Sequence, residues 1–192
     1  MTDHLPRGVD SDLAEHRLSR REVYRGALLH VLEDRVRLPD GAEAGREWVV
    51  HPGAVMIIPV LANGDIVLER QYRYPLERDF LEFPAGKIDK GEEPLATGQR
   101  ELREETGYHG GRWRFITTLH PVISYSNERI EVFLAEDVVS SGQRALDDGE
   151  FLDVFTMPPA EALRLLEQGL ITDMKTVVGL LWLERLGKIG PR

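Results

Sequence analysis

The sequence predicts one α/β domain of the layered-sandwich class, preceded by a small β-rich segment. Three observations support this prediction. The chain has 192 residues, which exceeds one domain of about 150 residues but falls short of two. Apolar runs typical of strands are interleaved with segments that carry helix start and stop signals, and further helical segments follow the last strand. Mixed strands with helices between and after them favour helix layers packed on a sheet.

The N-terminal part divides into two segments. Residues 1–21 are polar, so we expect a loosely ordered start. Residues 22–50 form the β-rich segment, with strand-like runs at Val23–Val31, Arg35–Leu38 and Trp48–Val50 and a Pro-Asp-Gly turn at 39–41. Two or three strands alone bury too little surface to be stable. We therefore expect this segment to pack against a second subunit; the alternative is that it folds back on its own domain.

Residues 51–192 form the main domain, which begins with a hairpin. Ala54–Leu61 and Ile66–Tyr72 flank Asn63-Gly64, a strong signal for a tight turn between antiparallel strands. Gly107 is expected to end the first helix in a left-handed conformation. The remaining predicted elements, in order, are a strand at Phe80–Phe83, that helix at Leu95–Thr106, strands at Arg114–Leu119, Ile130–Leu134 and Phe151–Phe155, and two final helices at 158–169 and 172–186.

Composition excludes several functional classes. The chain has no cysteine, which rules out disulfide frameworks, thiolate zinc sites and cysteine nucleophiles, and suits the cytoplasm. Its net charge, 24 − 33 = −9, disfavours binding to nucleic acid or anionic membranes through a broad basic surface. The longest apolar runs are far below the roughly 18 residues of a spanning helix, so no membrane association is expected.

The first helix concentrates carboxylates on one face. At 100° per residue, Glu101, Glu104 and Glu105 lie within a sector of about 100°, whereas Leu95, Leu102 and Thr106 form a separate packing stripe. We expect the glutamate sector to face solvent. Carboxylates at these spacings repel each other, and the helix C-terminal half disfavours anions. A solvated acidic face is the common origin of such a pattern; the alternative is a site for Mg²⁺ or Mn²⁺ with oxygen ligands, with Arg100 supplying part of the compensation.

The surrounding residues favour the metal site. The stretch reads Gly, five residues, Glu, seven residues, then Arg-Glu-apolar-x-Glu-Glu-x-Gly-apolar, carried by Gly86, Glu92, Arg100, Glu101, Leu102, Glu104, Glu105, Gly107 and Tyr108. Its seven strict positions match by chance on the order of once in 10⁸ starting points. This stretch, residues 86–108, resembles the signature of the Nudix hydrolases, the Nudix box, with an aromatic Tyr108 where an aliphatic residue is usual. We call these residues the box.

The resemblance implies a fold and a chemistry. The fold is an α/β/α sandwich with a mixed sheet, here with the N-terminal antiparallel β-rich piece added. The chemistry is hydrolysis of a nucleoside diphosphate linked to another group. By resemblance, the metal ligands are Glu101, Glu105 and the carbonyl of Ala85; Glu92 braces the loop and Arg100 orients the glutamates.

The catalytic base has two candidates. Glu104 is either a ligand through water or the base. Glu150 precedes a predicted strand at the place where the family has a loop glutamate that activates water and meets a metal. The alternative for Glu150 is an ordinary acidic turn. Asp147 and Asp148 are alternatives to it.

Residues outside the box resemble the ADP-ribose pyrophosphatase branch. The matching stretches are Arg46-Glu47, His51–Val55, Gln71–Pro75, Leu81–Gly86 and Gly169–Leu183. The resemblance implies a homodimer that exchanges its N-terminal pieces, with substrate contacts from Tyr24, Arg25, Arg46, Glu47, Arg73 and Glu128. From the residues alone, Tyr24 could equally be a strand-packing residue, and Arg73 could form a surface ion pair. Trp113 and Trp182 are expected to be packing residues. One departure is Ile123, where this branch has the second proline of a Pro-x-Pro loop.

The functional hypothesis is a Mg²⁺-dependent pyrophosphohydrolase that cleaves ADP-ribose, or a similar nucleoside diphosphate sugar, to AMP and a sugar phosphate. Another substrate on the same site, such as GDP-mannose, is the alternative within enzymes. A non-catalytic Nudix-like binding or regulatory module is the alternative of another class. All strict box positions are present, and there is no basic helix-turn-helix signal, which favours the enzyme.

Overall fold

The computed structural model describes residue 8, residues 11–146 and residues 149–189. Within these ranges the chain forms two compact units. The N-terminal unit contains the residues up to His51 together with the loop Val122–Glu128. The sandwich unit contains Pro52–Pro121 and the residues from Arg129 onwards.

The N-terminal unit is an antiparallel sheet of three strands, β1 (His16–Arg25), β2 (His30–Arg37) and β3 (Glu43–Val49), in the order β1-β2-β3. The predicted loosely ordered start is therefore wrong from His16 onwards. All ten residues of β1 are exposed, so the strand lacks the alternation by which sequence reasoning finds strands. Backbone pairing with β2 orders it instead.

Polar contacts also hold β1 to the sheet. Arg20 donates from Nε and Nη2 to the carboxylate of Asp34 on β2, at 2.8 Å each, and stacks over the ring of Trp48. Trp48 Nε1 donates to the same carboxylate at 3.1 Å. The predicted strand Val23–Val31 is in fact the end of β1 and the start of β2. A turn separates them, in which Gly26 N–H donates to Leu29 O at 2.8 Å.

The sandwich unit is built on a mixed sheet. The strands are β4 (Ala54–Val60), β5 (Ile66–Arg73), β6 (Arg78–Glu82), β7 (Ala85–Lys87), β8 (Tyr108–His109), β9 (Arg112–Leu119), β10 (Ile130–Glu136), β11 (Val139–Ser140) and β12 (Leu152–Met157). The main order is β12-β5-β4-β10-β9, in which β4 and β10 are parallel, while β6 pairs with β5 and β7 with β4. A separate two-stranded sheet pairs β8 with β11.

The predicted hairpin is confirmed, because β4 and β5 pair antiparallel from Val60 and Ile66. Three helices cover the sheet: α1 (Pro94–Thr106), α2 (Pro159–Glu167) and α3 (Met174–Arg185). As predicted, Gly107 ends α1 in the left-handed conformation, with φ 73°. Its N–H donates to Arg103 O. The strands β7, β8 and β11 were not predicted; they are two or three residues long, too short for a periodic pattern.

Alternate residues of β4 point to opposite layers, which fixes the sandwich. Val55 and Ile57 pack with Leu102 of α1, whereas Met56 and Ile58 pack with Leu180 of α3. The predicted α/β/α sandwich is confirmed. The predicted packing stripe of α1 is wrong at its first member, since Leu95 lies in the first turn and is 41% exposed. Trp113 packs on the α1-side core and meets the ring of Phe133 edge to face. In the described ranges, no helix has the length and apolar character needed to cross a membrane.

A close contact between α3 and the sheet yields a stability prediction. A Cβ on Gly179 would stand 2.7 Å from the ring of Phe83, which is fully buried. In an exposed helix, Gly→Ala stabilises by about 1 kcal/mol; here we expect Gly179→Ala to lower the free energy of unfolding by about 1–3 kcal/mol, because the core must shift.

Urea unfolding followed by circular dichroism measures this change. Gly45→Ala is the matched control, since nothing lies within 4 Å of a Cβ at that position. A Gly179→Ala protein more stable than the wild type would contradict the packing described.

Candidate active site

Arg100 lies at the centre of the box, in the middle of α1. Its Nε and Nη2 donate to the two oxygens of Glu92, at 3.1 and 3.0 Å. Thr97 Oγ1 also donates to Glu92, at 2.8 Å. These bonds lower the pKa of Glu92 to about 2, Arg100 contributing most. The loop before α1 is thereby tied to the helix through one carboxylate.

The other side of the same guanidinium holds two glutamates of the helix. Arg100 Nη1 donates to Glu101 Oε1 at 2.9 Å and to Glu104 Oε2 at 3.1 Å. Desolvation nevertheless raises the pKa of Glu101, because its side chain is only 15% exposed. Glu104 is more open, with a side chain 29% exposed.

Glu105 departs from the sequence prediction. The glutamate sector was expected to face solvent, but Glu105 is only 4% exposed and accepts a hydrogen bond from the N–H of Ala85 at 3.2 Å. The reason is the short strand β7, which the sequence did not reveal and which closes over this part of α1. Burial, and then the charges of Glu69, Glu101 and Glu150, raise the pKa of Glu105 to about 10.

Gly86 explains why the box begins with glycine. A Cβ at this position would stand 2.0 Å from the carboxylate of Glu101. Only glycine therefore lets the backbone of β7 approach the helix glutamates this closely. The carbonyl of the preceding Ala85 belongs to the same strand.

Glu150 precedes β12, and its charge acts on the box. It contributes to the raised pKa values of Glu69, Glu101 and Glu105. Glu150 therefore belongs electrostatically to the same cluster as the helix glutamates. The alternatives Asp147 and Asp148 lie outside the described residues.

Glu69 is a site residue that sequence reasoning missed. It lies on β5, is 1% exposed, and its Oε2 has no hydrogen-bond partner among the described residues. Burial and the charge of Glu82 raise the pKa of Glu69 to about 8, against the opposing charges of Lys175 and Arg73. The sequence did contain a signal for Glu69. Residues two apart in a strand share a face, so Glu69 lies on the same face as the apolar Val67, where a charged residue is unusual.

Arg73 forms an ion pair with Glu82, which is almost fully buried. Its Nε and Nη2 donate to the two carboxylate oxygens at 2.7 Å each. Lys175 from the start of α3 also contacts Glu82, and it donates to Asp173 at 3.0 Å. Asp173 caps α3 by accepting from Thr176 N–H at 3.0 Å. Arg73, which was predicted to bind phosphate, therefore already uses Nε and Nη2 to bind Glu82 of the same chain.

The remaining predicted substrate residues belong to the N-terminal unit. Arg25 pairs with Glu22, and Arg46 donates from Nε to Glu15 at 2.9 Å. Tyr24 is 56% exposed, so it is not a core residue. On β3, Glu47 stands opposite Glu33 of β2. In the loop, the N–H of Glu128 donates to Ser126 Oγ at 3.1 Å, and its carboxylate lies 3.9 Å from His51 Nε2.

The donor set of the sandwich unit fits a hard divalent cation. Glu69, Glu101 and Glu105 all have raised pKa values, and the unpartnered oxygen of Glu69 is buried. A cation would supply the positive charge that the cluster lacks. Over residues 11–146 and 149–189, no three acidic or histidine side chains already stand in metal-binding positions. Arg100 instead donates to Glu101 of this set and to the neighbouring Glu104.

Comparison with known proteins identifies the family. A family model described as the NUDIX domain matches residues 50–177, and one described as the nucleoside diphosphate sugar hydrolase N-terminal domain matches residues 15–49. An ADP-ribose pyrophosphatase from Bacillus subtilis (strain 168) is 38% identical over 173 residues, which cover 90% of this chain and 94% of that protein. A methanol dehydrogenase activator from Bacillus methanolicus is 35% identical over 171 residues, covering 88% and 92%.

The fold agrees with these sequence matches. A crystal structure of an ADP compounds hydrolase has a TM-score of 0.79 and 27% identity with this chain, covering 91% of this chain and 97% of that one. The NUDIX model alone spans more than half of the residues. With its box helix and glutamates placed as described, the chain belongs to the Nudix hydrolase family.

Proposed function

We propose that this Nudix hydrolase is a Mg²⁺-dependent pyrophosphohydrolase that cleaves ADP-ribose, or a similar nucleoside diphosphate sugar, to a nucleoside monophosphate and a sugar phosphate. The observation that carries the proposal is the cluster of buried glutamates with a surplus of negative charge around Glu105. The names of the B. subtilis relative and of the matching solved structure support a substrate that contains ADP.

The metal would be held by the carboxylates of Glu101 and Glu105 and by the carbonyl of Ala85. When bound, Mg²⁺, or Mn²⁺ in its place, would neutralise diphosphate charge and make a bound water more acidic. Arg100 keeps Glu101 and Glu104 in place before substrate arrives, through bonds of 2.9 and 3.1 Å. Such preorganisation removes the need for the side chains to be ordered during the reaction.

Two glutamates are candidates for the base that accepts the proton of the attacking water. Glu150 lies in the loop before β12, and its charge acts on Glu101 and Glu105. Glu104 Oε2 already accepts a hydrogen bond from Arg100 at 3.1 Å, so this oxygen is less free to take the proton of the water. We therefore propose Glu150 as the base and Glu104 as a ligand through water.

Arg73 is proposed to contact the diphosphate. Glu82 occupies its Nε and Nη2, so Nη1 is the nitrogen left for a phosphate oxygen. Because Glu82 fixes the plane of the guanidinium, little rotamer freedom would be lost on binding.

The N-terminal unit is proposed to complete the site of a second subunit. Its sheet exposes the whole of β1, including the apolar side chains of Leu18, Val23 and Tyr24. Packing against another copy would cover this strand, and would bring Tyr24, Arg25, Arg46 and Glu47 to the partner's box. The remaining N-terminal contact, Glu128, is proposed to bind the substrate as well.

The choice of substrate is tested by a panel of nucleoside diphosphate sugars. In the loop that differs from the ADP-ribose branch, Ile123 is 83% exposed. ADP-ribose, GDP-mannose and other compounds are compared by phosphate release with Mg²⁺ and a coupling phosphatase. We expect ADP-ribose to give the highest kcat/KM. Inactivity on every compound would refute the enzyme and favour a binding or regulatory module, a class suggested by the name of the B. methanolicus relative.

We predict that Glu105→Gln keeps the fold and lowers kcat by about 100-fold or more. A neutral amide is a poor ligand for a hard cation, while glutamine preserves the size of the buried side chain. Steady-state kinetics and thermal melting measure the two effects. Glu161→Gln, an exposed glutamate of α2, is the control and should leave both unchanged. Near-full activity of the Glu105→Gln protein would show that the metal assignment is wrong.

We predict that Glu150→Gln lowers kcat by about 10²- to 10⁴-fold, the usual effect of removing a general base, and leaves Mg²⁺ binding largely intact. Glu104→Gln should lower kcat less. Single-turnover kinetics at saturating Mg²⁺ compares the two variants. If Glu104→Gln gives the larger loss and Glu150→Gln only a small one, the roles are reversed and Glu104 is the base.

We predict that two inactive variants complement each other. Arg46→Ala removes a proposed substrate contact from the N-terminal unit, and Glu105→Gln removes a proposed metal ligand from the sandwich unit. In an exchanged homodimer, one heterodimer site would be intact, so mixing should restore up to about half of the wild-type activity per heterodimer. Subunit exchange is followed by mass spectrometry. Demonstrated exchange without recovery of activity would mean that each site is built from one chain.

A further inference from the structure

Glu69 is a buried carboxylate that neither the box motif nor the mechanism above uses. In the sheet it stands opposite Glu82 of β6 and Val154 of β12. Val67, two residues earlier on β5, and Val154 both pack in the core on the α1 side. The side chain of Glu69 therefore points to the layer that contains the box helix.

The cations near Glu69 are already engaged by another carboxylate. Arg73 donates to both oxygens of Glu82, and Lys175 contacts Glu82 and Asp173. Two like charges directly opposite in a sheet repel each other, and only Glu82 is compensated by hydrogen bonds. Glu69 Oε2 has no partner within the described part of the chain, although the residue is 1% exposed.

The charge of Glu69 also acts on a proposed metal ligand. Among the charges that raise the pKa of Glu105, that of Glu69 is the largest, ahead of Glu101 and Glu150. A buried carboxylate with an unpaired oxygen destabilises a fold unless a cation or a proton neutralises it. An apolar residue at this strand position would avoid this penalty. A bound ligand that neutralises the carboxylate would explain why a glutamate stands there.

We propose that Glu69 supplies a further carboxylate oxygen, from the sheet, to the divalent cation held by Glu105 on the helix. The cation would then be bound from two layers of the sandwich, by Glu69 of β5 and by the residues of the box. This inference rests on the proposed function, because it requires that the box binds a metal ion.

The test is Mn²⁺ binding to the metal-free full-length protein without substrate, measured by titration calorimetry and by the electron paramagnetic resonance signal of free Mn²⁺. Glu69→Gln preserves size but replaces a carboxylate by a poor donor, and should weaken Mn²⁺ binding about tenfold or more. Thermal melting without metal checks that the variant is folded.

Two further variants make the result specific. Glu69→Val suits a buried strand and removes all donors, so it should weaken Mn²⁺ binding as Glu69→Gln does. Glu136→Gln, at the other end of the sheet beside Val60, is the control and should bind Mn²⁺ like the wild type.

The outcomes separate this inference from the proposed function. If Glu69→Gln and Glu69→Val bind Mn²⁺ like the wild type while Glu105→Gln loses binding, only the role of Glu69 is overturned. Unchanged affinity in Glu69→Gln is what a neutral, purely structural Glu69 predicts. No Mn²⁺ binding by the wild type overturns the metal site itself. Weakened binding in both Glu69 variants but not in Glu136→Gln supports the proposal.

Discussion

The guanidinium of Arg100 is the interaction on which the box depends. It binds Glu92 on one side and Glu101 and Glu104 on the other. The loop and the helix therefore share a single cation, and the carboxylates that repel each other along α1 are held together by it. Because the bonds to Glu92 are charge-assisted and doubled, the loop geometry is fixed before any ligand binds.

The cation of Arg100 does not balance the cluster completely. Glu105 is buried beneath β7, and its charge is opposed by Glu69, Glu101 and Glu150. Arg73 and Lys175 pair with Glu82, and their charges oppose only part of the rise in the pKa of Glu69. A site with such a surplus has a low affinity for the anionic diphosphate until a cation is added. In a protein of net charge −9, the fold thus places carboxylates so that an anion can bind only together with a metal ion.

The two units differ in how they gain stability. The sandwich unit buries apolar side chains on both faces of β4 and encloses them between helix layers. The N-terminal unit buries few apolar side chains, among them Leu32 and Val36, and relies on the ion pair between Arg20 and Asp34 within its sheet. A sheet with a fully exposed edge strand is incomplete as a folding unit, which is the physical ground for proposing that a second copy covers it.

Much of this protein was determined by local sequence. The hairpin at Asn63-Gly64, the end of α1 at Gly107 and the sandwich class follow from turn chemistry and periodicity, and the strict box positions identified the family. Tertiary structure alone decided which carboxylates are buried. β7 covers Glu105, and the pairing of β5 with β6 sets Glu69 opposite Glu82. Most of the strand β1 was missed because pairing with β2 and polar contacts to the sheet order it. Burial and pairing depend on contacts between distant segments, which periodicity does not encode.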